Sequence, residues 1–188
     1  LSALTAFLQE PTHAELYPAP LLSALLGWLV DEAASEIFVL DARTLRFIIV
    51  NRGARENLGY TQAELEGMTP YDLAPHRAPG EIERLLESVL RGEVPRLRLA
   101  GINRRKDGTS YPIEATVQLF AEQDPPVLLI TGEDVTARRE QEAALRRSEE
   151  RFATAFHSSP DAITITDLAD GRMVDVNEGF TAIAGWPR

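Results

Sequence analysis

The sequence predicts an α+β domain built on an antiparallel sheet, and two patterns carry that prediction. Residues 111–119 alternate apolar and polar side chains over nine positions, which is the period of a half-buried strand. Residues 81–91 place apolar side chains at i, i+3, i+4, i+7 and i+8, the spacing of a helix with one buried face. The predicted order of strand, strand, small helices, long helix and three strands is typical of an α+β domain of about 100 residues.

The N-terminal segment, residues 1–34, is predicted to be a helical lead-in. A short helix at 1–9 and a proline-punctuated connector precede residues 21–30, which are apolar on nearly every side of a helix. Such a helix must be covered, either by its own domain or by a partner subunit. Both interpretations stay open, and Leu25 and Leu29 are the candidate dimer contacts.

A hairpin and small helices follow the lead-in. Residues 36–41 and 46–51 are short runs rich in β-branched and aromatic side chains, joined by a four-residue polar turn. Asn51 ends the second strand and is suited to capping the next helix. Thr61 and Glu64 have the spacing of a capping box, so we expect another short helix to begin there.

Three further strands are predicted at 95–99, 111–119 and 127–130, with a glycine-containing hairpin turn at 104–108. Residues 127–130 are apolar throughout, which indicates the central strand of the sheet.

The composition of residues 136–157 favours a linker helix, which would be about 33 Å long. Glu142 and Arg146 are spaced for an exposed ion pair. Leu145 and Phe152 stand seven residues apart, and this spacing leaves a coiled coil and a single solvated helix equally open.

Composition limits the function and the partners. The chain has 188 residues, 19 of them basic and 29 acidic, for a net charge of −10 and no cysteine. Nucleic acids and anionic membranes select clustered basic residues, so we expect neither partner. No apolar run approaches the roughly 20 residues that cross a bilayer, and no signal peptide is visible. We therefore expect a cytoplasmic protein without direct membrane insertion, and Leu1 in place of methionine indicates a piece of a longer chain.

The chain repeats part of itself. Residues 37–60 match residues 163–186 at a constant offset of 126 without a gap. Such self-similarity indicates that the same domain begins twice, and only the first hairpin and first small helix of the second copy are present. The identical pairs are Ile37/Ile163, Asp41/Asp167, Arg46/Arg172, Val50/Val176, Asn51/Asn177, Gly53/Gly179 and Gly59/Gly185.

Several motifs in the right order resemble the PAS domain family. They are an opening motif (Phe38 to Asp41, Ile49 to Ala54 and Leu58 to Glu64), a turn before the penultimate strand (Arg104 to Pro112), an Asp-Ile-Thr-like exit motif (Gly132 to Arg138) and the start of a second domain (Ser158 to Ile163).

The resemblance implies a five-stranded antiparallel sheet of order 2-1-5-4-3 with helices on one face. It divides the chain into the lead-in, a PAS sensory domain at 35–135, a linker helix at 136–157 and a truncated second copy at 158–188. Such domains are sensory or dimerising modules of histidine kinases, diguanylate cyclases and related signalling proteins. We expect a homodimer that relays ligand or dimer state through the linker helix, and a ligand-free dimerisation or spacer module is the alternative.

Two sets of candidate site residues follow. The exit motif supplies the candidate signal relay, Asp134, Val135, Thr136 and Arg138, in which Thr136 caps the linker helix and Asp134 reaches backbone donors or Arg138. A small-molecule pocket would lie between the sheet and the helix at 81–91, unless the same side chains simply fill the core. Its predicted walls are Leu85, Leu86, Val89, Ile113, Ala115, Val117 and Leu129.

The sequence identifies no cofactor, metal site or catalytic group. Haem-binding relatives place an axial histidine on the long helix, which has none, and His13, His76 and His157 are expected in loops or on the surface. The flavin-adduct branch of the family needs a cysteine, whereas non-covalent flavin and an unknown small molecule stay open. Neither a phosphate-binding glycine loop nor a nucleophile motif is present. We therefore expect no enzymatic activity here, and a kinase or cyclase domain would lie elsewhere in the parent protein.

Overall fold

The structure is a computed structural model that describes residues 18–185. The predicted helix at 1–9 and most of the connector after it lie outside the described residues. The elements are α1 (Ala19–Asp31), β1 (Glu36–Asp41), β2 (Phe47–Val50), α2 (Arg52–Leu58), α3 (Gln62–Leu65), α4 (Pro70–Leu73), α5 (Glu81–Leu90), β3 (Leu97–Arg104), β4 (Ser110–Phe120), β5 (Val127–Asp134), α6 (Thr136–Ser158), β6 (Thr164–Thr166), β7 (Met173–Val176) and α7 (Glu178–Ala184).

The first five strands form one antiparallel sheet of order β2-β1-β5-β4-β3. This confirms the α+β class, the strand order and the central place of β5. Strand β3 continues to Arg104, past the predicted end at residue 99, because β4 pairs with it along its whole length.

The core lies on the face of the sheet that α2 to α5 cover. Phe38 and Leu40 of β1 and Val117 of β4 are buried there, opposite Leu86 and Val89 of α5. The predicted polar turn after β1 also contributes, because Leu45 is buried and takes a positive φ of 57°. A turn residue that reaches the core is not visible in a hydrophobicity pattern.

Helix α1 contains no buried residue. Leu25 is 44% exposed and Leu29 is 57% exposed, so the described part of the chain does not cover this apolar helix. Within residues 18–185, packing of this helix against its own domain is not seen. Contact with a partner subunit stays a prediction.

The chain divides into two compact units, one ending at Thr136 and one beginning at Ala137. Helix α6 begins at the predicted residue and ends one residue after the predicted end. The predicted pairing of Glu142 with Arg146 is wrong: Arg146 pairs with Glu150 at 2.9 Å and Glu142 lies 4.0 Å from Arg138. Within residues 18–185, no helix is both long and apolar enough to cross a membrane.

The repeat at offset 126 recurs in the hydrogen bonds of the two units. Asn51 Oδ1 accepts from the backbone N–H of Ile37 at 2.8 Å, and Asn177 Oδ1 accepts from that of Ile163 at 2.8 Å. Both asparagines also cap the helix that follows them, as predicted for Asn51. The repeated residues therefore build the same local structure in β1, β2 and α2 as in β6, β7 and α7.

Candidate functional site: a cavity and the anchor of α6

A small apolar cavity of about 120 Å³ lies between the sheet and the helices α4 and α5. Two phenylalanines that were not predicted, Phe38 and Phe47, line it together with Leu99 and Ile130. Of the seven predicted wall residues, five line this cavity: Leu85, Leu86, Ile113, Ala115 and Val117.

The other two predicted wall residues lie elsewhere. Val89 is buried in the core and is not part of the cavity wall. Leu129 pairs with Val39 and Gln118, and its place between Leu128 and Ile130 puts it on the opposite face of the sheet. Because residues 127–130 are all apolar, their sequence does not reveal which alternate side chains face the core.

Two polar side chains border the cavity, Arg77 and Asn103. Arg77 forms an ion pair with Glu81 one turn further along the chain, which offsets its positive charge. Asn103 Nδ2 donates to the Tyr111 hydroxyl at 3.3 Å. The cavity is therefore an apolar space with one neutral polar group and one already paired cation at its edge.

Its volume limits what can enter. An apolar cavity of about 150 Å³ is known to admit benzene, whereas pockets for larger ligands commonly run to about 300–1,000 Å³. At about 120 Å³, this space is nearer to the first of these sizes than to the second. Among residues 18–185, no cluster of three His, Asp or Glu side chains could hold a metal ion.

The two histidines among residues 18–185 lie away from the cavity wall. His76 is exposed in the loop between α4 and α5, and His157 packs edge-on against Phe156. His13 lies outside the described residues.

The start of α6 is anchored by Asp134, the last residue of β5. Asp134 Oδ1 accepts from the Thr136 backbone N–H at 2.9 Å and from its hydroxyl at 2.6 Å. The prediction that the Thr136 hydroxyl is the capping acceptor is therefore wrong, because Thr136 is the first helical residue and donates to the carboxylate. Val135 is fully buried and its N–H donates to the Pro112 carbonyl at 3.1 Å.

The charged partner of Asp134 is Arg105. Arg138, which the sequence offered as a partner, lies 4.0 Å from Glu142. Arg105 Nη2 donates to Asp134 Oδ2 at 2.7 Å. The same guanidinium donates to Asn57 Oδ1 from Nε at 3.0 Å and from Nη2 at 2.9 Å. The two residues that hold Asp134 in place thus come from the β3–β4 turn and from α2.

Asn57 joins this anchor to a second, buried carboxylate. Its Nδ2 donates to Glu36 Oε1 at 2.5 Å and to Asp134 Oδ2 at 3.3 Å. Glu36 is only 3% exposed and also accepts from the Tyr111 hydroxyl at 2.9 and 3.0 Å. The Arg105 guanidinium lies over the Tyr111 ring, 4.2 Å from its centroid.

These five side chains form one polar cluster, hereafter the anchor cluster: Glu36, Asn57, Arg105, Tyr111 and Asp134. The pKa values of its two carboxyl groups are shifted in opposite directions. Burial raises the pKa of Glu36 even though Asn57 and Tyr111 donate to it. Burial also acts to raise the pKa of Asp134, but hydrogen bonds from Thr136 and Asn57 and the charge of Arg105 outweigh it and leave that pKa lowered.

Sequence reasoning found Asp134 but missed Glu36, Asn57, Arg105 and Tyr111 as functional residues. Arg105 stood in a stretch that predicted only a turn, and Glu36 looked like the exposed first residue of a strand. The signal for Glu36 in the sequence was an acidic residue at the start of a run of apolar residues, and this pattern is too common to identify a functional residue.

The domain thus combines a five-stranded sheet of this order, helices that border a small cavity and an anchored helix that follows the last strand. A family model described as the PAS fold matches residues 30–140, and a second, described as a PAS domain, matches residues 150–188. The chain belongs to the PAS family. A PAS domain is a sensory module and not a catalyst.

Solved structures agree with this assignment at the level of fold. A PAS domain from a two-component sensor histidine kinase has a TM-score of 0.53 and 16% identity, covering 62% of this chain and 98% of that one. The PAS domain of an HTR-like protein from Haloarcula marismortui has a TM-score of 0.54 and 22% identity, covering 61% of this chain and 93% of its own.

A domain of a sensory box sensor histidine kinase/response regulator from Geobacter sulfurreducens has a TM-score of 0.50 and 22% identity, covering 58% of this chain and 92% of its own. At such identities the likeness shows the fold alone. No curated protein matches the chain.

Proposed function

We propose that this chain is a ligand-sensing module that passes the occupancy of its cavity to α6. One observation carries the proposal: Ile113, which lines the cavity, is paired in register with Asp134, which anchors α6. A displacement of β4 by a ligand therefore reaches the anchor across one pair of neighbouring strands. A rigid sheet connected to a separate helix is a suitable arrangement for such a relay.

The ligand that the cavity favours is a small, neutral and apolar molecule. The walls are mainly aliphatic and aromatic, and the one cation at the edge, Arg77, is already paired with Glu81. An anion would have to compete with that carboxylate, and a hydrogen-bonding ligand would find only Asn103 at the edge as a neutral polar side chain. Burial of apolar surface is then the main source of affinity.

Benzene is a suitable probe for the test, with binding followed by the NMR shifts of the Ile113 methyl groups and of the Thr136 amide. We expect both signals to move together in the wild-type chain. Ala115→Leu should abolish both changes, because three added carbons occupy the cavity. Thr116→Leu is the matched control, since residue 116 is the next residue of β4 and faces away from the cavity. A benzene-induced shift at Ile113 without one at Thr136 would contradict the relay, and no binding by the wild type would contradict the cavity as a binding site.

The alternative is a dimerisation or spacer module that binds no ligand, and the exposure of α1 favours it. Its apolar residues are left uncovered by the described part of the chain, which supports a homodimer formed through Leu25 and Leu29. The two functions are compatible, because they use different residues: Leu25 and Leu29 of α1 for the dimer contact, and Asp134 for the relay.

We further propose a cytoplasmic parent protein of the histidine kinase or diguanylate cyclase class. The histidine kinase origin of two of the similar structures supports that class. The family match over residues 150–188 and the repeated hydrogen bonds of Asn51 and Asn177 support a second PAS copy that begins after α6.

A further inference from the structure

The anchor cluster contains a titratable group that the relay described above does not use. Glu36 is buried at the start of β1, and the described residues that donate to its carboxylate are the neutral groups of Asn57 and Tyr111. Asp134, by contrast, has the direct ion pair with Arg105. Arg105 is thus close to two carboxylates. It is bonded directly to Asp134, and it acts on the buried Glu36 only through its charge.

Three elements and one turn each contribute a polar neighbour of Glu36. Asn57 comes from α2, Arg105 from the turn between β3 and β4, Tyr111 from β4 and Asp134 from β5. Of these, only Arg105 is positive, and Asp134 repels the ionised form of Glu36. Burial and the negative charge of Asp134, which also anchors α6, therefore both disfavour the ionised form of Glu36.

We propose that Glu36 is a proton-binding site whose charge controls how firmly Asp134 holds the start of α6. When Glu36 is ionised, it draws the Nδ2 of Asn57 toward itself and repels Asp134. When it takes up one proton on Oε2, the carboxyl O–H donates to the Tyr111 hydroxyl oxygen, whose own O–H had donated to the carboxylate. The repulsion then disappears, and Asn57 and Arg105 are free to bind Asp134 more closely.

The direction of the effect follows from these contacts. Protonation of Glu36 tightens the anchor of α6, and ionisation loosens it. The first turn of α6 should accordingly open more often as the pH rises through the titration of Glu36. Burial raises the pKa of this carboxyl above its ordinary value of 4.5, so the change is centred above the pH at which an exposed glutamate titrates.

The test is amide hydrogen exchange of residues 135–138, corrected for intrinsic exchange, measured on the whole ligand-free chain between pH 4.5 and 8. We expect the protection factor to fall about fivefold or more across the range, a size typical of coupled sites. The carbon NMR shift of the Glu36 carboxyl should titrate with the same midpoint. A flat protection profile, or midpoints that differ, would overturn the proposal.

Three variants separate the charge of Glu36 from a structural role. Glu36→Gln should give a flat profile at the low-pH level, and a slope equal to that of the wild type would refute the switch. Glu133→Gln, on β5 and exposed, is the control and should keep the wild-type profile. If it also flattens the profile, the effect is one of general charge and the proposal fails.

If Glu36→Gln does not fold, Tyr111→Phe decides, because losing a donor to the carboxylate must move the midpoint to higher pH.

The experiment needs no cavity ligand, since it follows only the proton and α6. Failure of the benzene test would therefore leave this proposal standing, and a flat exchange profile would leave the cavity function standing.

Discussion

At the scale of one residue, Gly53 shows how the segment before β1 packs closely against α2. It is the second residue of α2, and a Cβ added there would lie 2.9 Å from the Ala33 carbonyl oxygen. Real Cβ atoms do not approach backbone oxygen so closely. The close packing of α2 on the segment before β1 therefore requires glycine at this position, and Gly179 has the same role in the second unit.

Gly53→Ala should destabilise the first unit by about 2 kcal/mol, because the crowding outweighs the gain in helix propensity. Gly27→Ala is the matched control in α1, where nothing lies within 4 Å of the added Cβ. That substitution should stabilise α1 by roughly 0.5–1 kcal/mol. Urea unfolding measures both changes, and a neutral or stabilising Gly53→Ala would show that the carbonyl of Ala33 can move aside.

Individual residues also show the limit of sequence reasoning. The role of Asn51 as a cap could be predicted because its partner, the Ala54 N–H, is three residues away. The partner of Asp134 could not, because Asn57 and Arg105 are 77 and 29 residues distant and meet it only after the sheet has formed. Leu129 was placed on the wrong face for a related reason: a wholly apolar strand carries no alternation to read.

At the scale of elements, α6 is fixed at both of its ends by side-chain hydrogen bonds, and the contact at its C-terminal end recurs after α1. Asp134 binds Thr136 at its start, and Asn177 Nδ2 donates to the carbonyls of Ser159 and Asp161 just past its end. Asn51 holds the chain just after α1 in the same way, through the carbonyls of Ala33 and Ser35. Each helix that enters a hairpin of this kind is thus fixed by the asparagine that follows the second strand.

Helix α1 makes the prediction that belongs to this scale. Leu25→Glu with Leu29→Glu should convert a dimer to a monomer, because two buried charges oppose association. Mass in solution, by light scattering, measures the change. Ser23→Glu, on the same helix and exposed, is the control and should leave the dimer intact. An unchanged dimer in the double variant would place the contact elsewhere, for example at the exposed Leu145 and Phe152 of α6.

At the scale of the whole molecule, most of the fold could be predicted because its determinants are local or periodic. The alternation in β4 and the stripe on α5 each identify an element from neighbouring positions, and the repeat at an offset of 126 residues identifies a second copy of the first hairpin. The cavity and the anchor cluster depend on which elements meet. Five of the seven predicted wall residues do line the cavity, because β4 and α5 both have a clear buried face. The polar cluster has no comparable pattern, since each of its members comes from a different element.

The pH dependence of the folding free energy is the last consequence of that cluster. Glu36 has a raised pKa in the folded chain, so it contributes stability that is fully present below its ordinary pKa of 4.5 and is lost as the pH rises through the folded value. Asp134 has a lowered pKa, so its contribution is present above 3.8 and is lost as the pH falls through its folded value. The exposed Glu64, whose pKa the Lys106 ammonium and Thr61 lower to about 2, acts in the same direction as Asp134.

Comparing the wild type with Glu36→Gln isolates the contribution of Glu36, because all other groups titrate in both chains. We expect the free energy of unfolding of the wild type, measured with urea at pH 4.5, 6 and 8, to decline relative to that of Glu36→Gln as the pH rises. The difference should level off above the folded pKa of Glu36, where both folded and unfolded carboxyl groups are ionised. A difference that stays constant from pH 4.5 to 8 would mean that folding leaves the pKa of Glu36 unchanged, with the hydrogen bonds from Asn57 and Tyr111 offsetting its burial.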